Sequence, residues 1–139
     1  MNKMDPFFHS FNQCTRQFSK GLNDVLTPMG LYAAQWPIIY RLKTAGSSTQ
    51  VELSTYLSVE APTMTRALLR LEKSGWISRV PGKDKREKKI LLTDEALTQY
   101  PDWLAAVQQY EQKMLEDISE EELMAAISVM QKMKQNSGR

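Results

Sequence analysis

Arg66, Arg70, Lys73, Arg79, Lys83, Lys85, Arg86, Lys88 and Lys89 all fall within residues 61–93, where only Glu72, Asp84 and Glu87 oppose them. That window carries +6, residues 94–139 carry −5, and the whole chain only +2. A net charge so small says nothing about a partner, but its segregation does: a localised cationic surface is the footprint expected for a polyanion. The chemistry available to it is electrostatic recognition. Bond-making chemistry has little to work with, because the chain holds one cysteine, Cys14, and one histidine, His9. These exclude an intrachain disulfide framework, a thiolate metal cluster and the two-histidine zinc motifs, and no Gly-x-x-x-x-Gly-Lys phosphate loop occurs. His9 lies between Phe8 and Ser10 with no acidic orienter in a recognisable motif. No enzyme, metal or cofactor is expected.

Within that window, "APTMTRALLRLEKSG" (residues 61–75) predicts a helix with Pro62 in its first turn and Gly75 as its stop. At about 100° per residue, Met64, Ala67, Leu68 and Leu71 share one arc, and Thr63, Arg66, Arg70 and Lys73 share another. A threonine can touch a phosphate or a thymine methyl, and an arginine can grip guanine O6 and N7 with two bonds. A helix with arginines outside is equally what a soluble helix looks like, so its neighbours decide. After it, "KDKREKKILLT" (residues 83–93) reads as a charged hairpin tip running into an apolar returning strand, with Pro81-Gly82 supplying the turn chemistry. Before it, Thr49-Gln50-Val51-Glu52 is a capping box that opens a short helix.

The remaining elements must hold these in place. Met4, Phe7, Phe11, Cys14, Phe18, Leu22 and Val25 form the stripe of an amphipathic helix over residues 5–26, which Thr27-Pro28 ends. A helix over 32–44 contains Pro37, which calls for a kink or a late start. Thr93 caps a helix whose apolar face is expected to comprise Leu97, Tyr100, Leu104, Val107, Met114 and Ile118, with a kink at Pro101. Ser119 and Glu122 form a second capping box, opening a helix through Leu123, Ile127, Met130 and Met133. The predicted fold is mainly α with a small two- or three-stranded β-wing: a winged helix-turn-helix flanked by N- and C-terminal helices. At 139 residues the chain fits one domain, with residues 31–93 as the winged region and 1–30 and 94–139 as its flanks.

These segments resemble the MarR family of transcription regulators. "TQVELSTYLSVEAPTMTRALLRLEKSGWISR" is similar to the family's helix-turn-helix, including Thr-Arg-x-Leu-x-Arg-Leu-Glu and the following Gly-Trp-Ile. "DKREKKILLT" resembles its wing, and "LYAAQWPIIYRL" its second helix. The similarity covers roughly residues 20–97. It implies a recognition helix over 61–73, with Thr63, Thr65, Arg66 and Arg70 facing double-stranded DNA. Arg86 falls on the wing arginine that enters a minor groove, Asp84 on its bracing acid, and Lys83, Lys85 and Lys88 on the phosphate-facing tip. Family members are homodimers joined by their terminal helices on palindromic operators, and often hold a small aromatic or lipophilic effector. Three positions depart from the pattern: the Pro81-Gly82-Lys83 approach is about one residue shorter, Asp94-Glu95-Ala96 replaces a common glycine, and Tyr32 stands where a capping Ser or Thr is common.

The reading is therefore a homodimeric repressor, with Phe7, Phe8, Phe11, Leu123, Ile127 and Met130 at the dimer seam. The alternatives are a winged-helix module that binds protein, and a redox-sensing regulator acting through Cys14. That cysteine falls on the apolar stripe, where the usual role is that of a small inert hydrophobe. No apolar run nears the roughly 18 residues of a membrane span. The N-terminal "MNKMDPFFHSFNQ" lacks a signal peptide's apolar stretch, so a cytoplasmic location is expected.

Overall fold

The computed structural model describes residues 4–84 and 86–138. Six α-helices and a two-stranded sheet follow in the order α1 (Met4–Leu26), α2 (Trp36–Ala45), α3 (Gln50–Leu57), α4 (Ala61–Lys73), β1 (Ile77–Pro81), β2 (Lys88–Leu92), α5 (Asp94–Met114) and α6 (Glu120–Ser137). The chain divides into two compact units, Met1–Gln108 and Gln109–Arg139. No helix of the described residues is long and apolar enough to cross a membrane.

Pro37 acts by delaying α2. Residues Ala33–Gln35 form a 3-10 turn, and the α-helix begins only at Trp36, which puts the proline in its first turn. A proline there forfeits no hydrogen bond, because the first N–H groups of a helix have no intrahelical partner. Tyr32 cannot cap as a serine would. Gln35, 4% exposed, does the work instead: its side-chain oxygen accepts the Tyr32 N–H at 2.9 Å, while its own N–H donates to the Tyr32 carbonyl at 2.9 Å.

The core of the first unit is built from one face of each helix: Leu22 and Leu26 of α1, Ile38, Ile39 and Leu42 of α2, Leu53 of α3, Met64, Leu68 and Leu71 of α4, Ile77 and Ile90 of the sheet, and Ala96, Trp103 and Val107 of α5. Each such aliphatic side chain contributes on the order of 1.5–3 kcal/mol by leaving water. Two tryptophans tie the core together across long stretches of chain. Trp76 and Trp103 meet edge to face at 4.8 Å, the Trp76 indole N–H donates to the Gly30 carbonyl at 3.0 Å, and that of Trp103 to the Met29 carbonyl at 3.1 Å. Gly30 has φ +87°, and a Cβ there would lie 3.2 Å from the Trp76 ring, so the loop needs glycine on both counts.

One stripe differs from its expected phase, and another is left uncovered. On α5 the inward residues are Ala96, Tyr100, Trp103 and Val107, and Leu97 is exposed. Met114 ends that helix, and Ile118 lies beyond it, exposed. On α1 only the C-terminal part is buried, at Leu22 and Leu26, while Phe7, Phe8, Phe11 and Cys14 are exposed. Phe7 nonetheless packs edge-on against Phe8 at 5.2 Å and stacks with Phe11 at 6.5 Å. In the second unit Ser119 and Glu122 form the expected capping box: the Glu122 N–H donates to the Ser119 hydroxyl at 3.1 Å, and the Glu122 carboxylate accepts the Ser119 N–H at 3.0 Å. Those bonds hold the Glu122 carboxyl below its usual pKa, the Ser119 backbone N–H being the main cause. Leu123 and Ile127 of α6 are half-buried and Met130 is exposed.

Candidate nucleic-acid interface

α4 is fixed from below and free above. Met64, Leu68 and Leu71 are fully buried, and Thr63, Thr65, Arg66 and Arg70 are all exposed. α3 reaches α4 through a three-residue turn, residues 58–60, in which Ser58 adopts the left-handed conformation at φ 55°. The capping box at the start of α3 closes with both bonds: the Glu52 N–H donates to the Thr49 hydroxyl at 3.1 Å and the Glu52 carboxylate accepts the Thr49 N–H at 3.0 Å.

The wing is anchored at its base and braced at its tip. β1 and β2 pair antiparallel from Ile77 opposite Leu92 to Pro81 opposite Lys88. Ser48 adds one further bridge, its N–H donating to Ile90 O at 3.0 Å and the Ile90 N–H to Ser48 O at 2.8 Å. At the tip the Gly82 N–H donates to Glu87 O at 2.7 Å and the Glu87 N–H to Asp84 O at 2.9 Å. The Asp84 carboxylate accepts the backbone N–H of Arg86 at 3.2 Å. Asp84 thus shapes the turn through the backbone of Arg86, and the guanidinium is left to solvent. A Cβ at Gly82 would come within 2.9 Å of Glu87 O, so a tip this short closes only over glycine. Lys85 lies outside the described residues.

Among the described residues, acidic side chains neutralise two of the eight cations of this segment. Arg79 pairs with Glu72 at 3.2 Å and Lys89 with Glu52 at 3.3 Å. Arg66, Arg70, Lys73, Lys83, Arg86 and Lys88 are exposed and enter no ion pair among the described residues. The remaining charge is therefore spread over the outer face of α4 and the wing tip. The Glu52 carboxyl is held below its usual range, first by the Thr49 backbone N–H, then by the Thr49 hydroxyl and the Lys89 ammonium.

Gln50 connects the two surfaces, and the sequence reading did not single it out. Its side-chain N–H donates to the Thr65 hydroxyl on α4 at 2.6 Å. The same residue lines an open cleft of about 560 Å³ between the start of α3 and the wing, together with Thr49, Val51, Glu52, Arg79, Arg86, Glu87 and Lys88. The only local signal was its place directly after the helix cap, where a polar residue is unremarkable.

Residues 31–88 match the family model described as "MarR family". The chain is 44% identical over 114 residues to the HTH-type transcriptional regulator YwoH of Bacillus subtilis, covering 82% of this chain and 83% of that protein. It is 32% identical over 121 residues to the multiple antibiotic resistance protein MarR of Salmonella typhimurium, covering 86% of this chain and 79% of that one. The chain belongs to the MarR family. A crystal structure of a cysteine-to-serine mutant of Escherichia coli MarR complexed with operator DNA superposes with a TM-score of 0.86 at 27% identity, covering 95% of this chain and 96% of that one. MarR family members are transcriptional regulators and not enzymes, which agrees with a site made of exposed cations and hydroxyls. The mainly helical winged architecture expected from the sequence is the MarR fold.

Proposed function

We propose that this chain is a sequence-specific, double-stranded DNA-binding repressor that acts as a homodimer on a palindromic operator. The placement of Gln50 carries this reading: one side chain touches the helix bearing Arg66 and Arg70 and lines the cleft bearing Arg86 and Lys88. The two cationic surfaces are thereby neighbours, as a helix in a major groove and a wing on the adjacent minor groove require. Thr63, Thr65, Arg66 and Arg70 are assigned to the major groove. Arg86 takes the minor groove, and Lys83, Lys85 and Lys88 the phosphates. Asp84 braces the tip. A structural relative, Escherichia coli MarR, is complexed with operator DNA, which supports a duplex as the partner.

A dimer is supported by what α1 and α6 leave uncovered. Phe7, Phe8 and Phe11 are 40–49% exposed and Met130 is 45% exposed, with Leu123 and Ile127 half-buried beside it on α6. A second copy would bury these residues and hold two recognition helices about 34 Å apart, the spacing of successive major grooves on one face of DNA. The expected small aromatic or lipophilic effector rests on the family resemblance.

Selection of bound fragments from the host genome tests the proposal. Enrichment of one inverted-repeat sequence, bound with an affinity that falls against log salt at a slope of about −0.9 per phosphate neutralised, is the expected result. Absence of enrichment at low salt overturns it. A redox role has one observation in its favour, the exposure of Cys14. Oxidation of Cys14 by mild peroxide, followed by mass spectrometry and operator release that Cys14→Ser abolishes, would establish it.

A further inference from the structure

The two threonines of α4 are not equivalent, and the difference assigns each a different part of the duplex. We propose that Thr65 recognises a thymine through its side-chain methyl group, with its hydroxyl proton withheld from the DNA. A threonine hydroxyl has one hydrogen to donate and two lone pairs to accept with. In Thr65 the hydrogen is committed to the Ala61 carbonyl one turn back, at 2.9 Å, and the Gln50 amide occupies a lone pair at 2.6 Å. Phosphate oxygens, guanine O6 and N7, adenine N7 and thymine O4 are all acceptors and need a donor. Thr65 has none to give. The bond to Ala61 also fixes χ1, because a β-branched side chain has few rotamers in a helix. Thr65 is exposed, so what it offers a ligand is a positioned methyl, beside one lone pair that only the amino groups of adenine or cytosine could use.

Two further features agree. Leu69, one turn along on α4, is 54% exposed, so an uncharged strip runs beside the arginines. The Thr63 hydroxyl has no hydrogen-bond partner among the described residues, and it is the one free to donate to an acceptor at the groove. Gln50 becomes a specificity-determining residue at one remove: its bond keeps Thr65 from turning its hydroxyl outward.

This inference rests on the operator reading above, and the experiment separates the two. The duplex of highest affinity is selected from a random library with the wild-type chain, and each thymine in turn is replaced by deoxyuracil, which differs only in lacking the methyl. One symmetry-related pair of replacements is expected to weaken wild-type binding by about fourfold per half-site, the ratio for one methyl group removed from water. Thr65→Val, which keeps the methyl and loses the hydroxyl, should bind the thymine duplex as wild type does and stay sensitive to that replacement. Thr65→Ser, which keeps the hydroxyl and loses the methyl, should bind about fourfold more weakly per half-site and become indifferent to it. The opposite ranking of the two variants, or wild-type binding unmoved by any replacement, overturns the proposal while leaving DNA binding intact. Failure of the wild-type chain to enrich any sequence overturns the operator reading, and this inference with it. The uracil scan of the wild-type chain needs no altered protein, so a scan without a sensitive thymine overturns the proposal even if a variant folds poorly.

Discussion

Lys89 on β2 places its ammonium 3.3 Å from the same Glu52 carboxylate oxygen that accepts the Thr49 N–H at 3.0 Å. One oxygen thus closes the first turn of α3 and ties the wing to it. Glu52 has its pKa lowered in the folded chain from a reference of 4.5. A lowered folded pKa means that the contribution is complete above the unfolded value and fades as pH falls through it towards the folded one. Thermal melts are expected to show an acid-side loss below about pH 4.5 that Glu52→Gln reduces. Equal acid-side slopes for the two proteins would contradict this.

Removing the other half of that box should cost more at neutral pH. Thr49→Ala leaves the Glu52 N–H without its cap, and a loss of about 1 kcal/mol in urea unfolding is expected. Thr49→Ser, which keeps the capping hydroxyl, should lose little of it.

Gly82→Ala should damage the wing and spare the core. The added methyl meets a backbone oxygen at 2.9 Å, and backbone cannot swing away as a side-chain tip can. The strain, about 1–3 kcal/mol, falls on an exposed hairpin. Operator affinity should drop by more than the melting temperature suggests, which binding and melting curves on one preparation would check.

The ion pairs sort the arginines. Arg66→Ala is expected to cost about 1–3 kcal/mol of binding and to relax preference at particular base pairs. Arg86→Ala should lower affinity chiefly for duplexes with a narrow minor groove. Arg79, already held by Glu72 at 3.2 Å, should change affinity little when replaced by Ala. Equal losses for all three would mean that the cationic face acts only as diffuse charge.

Phe11→Asp should convert a dimer to a monomer in light scattering at micromolar concentration, since it sets a charge on a stacked aromatic cluster that lies exposed in the single chain. An unchanged dimer mass would place the seam elsewhere.

Much of this architecture is local, and what is local could be read in advance. Capping boxes at Thr49 and Ser119, the late start forced by Pro37 and the paired strands around the basic tip each depend on residues a few positions apart. The phase of α5 could not be read this way. Counting large aliphatics puts Leu97 inside, but Trp103 is the bulkiest buried group, and the face that buries it carries the small Ala96 and leaves Leu97 outside. The uncovered stripe of α1 is invisible to periodicity, which predicts an apolar face without saying what covers it. Gln50 and Thr65 are fifteen residues apart, and nothing in either segment announces that one occupies the other's hydroxyl.

The indole pair of Trp76 and Trp103, 4.8 Å apart and edge to face, has a practical corollary. With Trp36 they are the chain's three tryptophans, and all lie in the unit that carries the wing and α4. Ultraviolet emission and near-ultraviolet dichroism will therefore register the melting of that unit, and a dye on α6 would supply a second colour for the remainder. The protein comes with its own optical gauge for the unit that holds the cationic face.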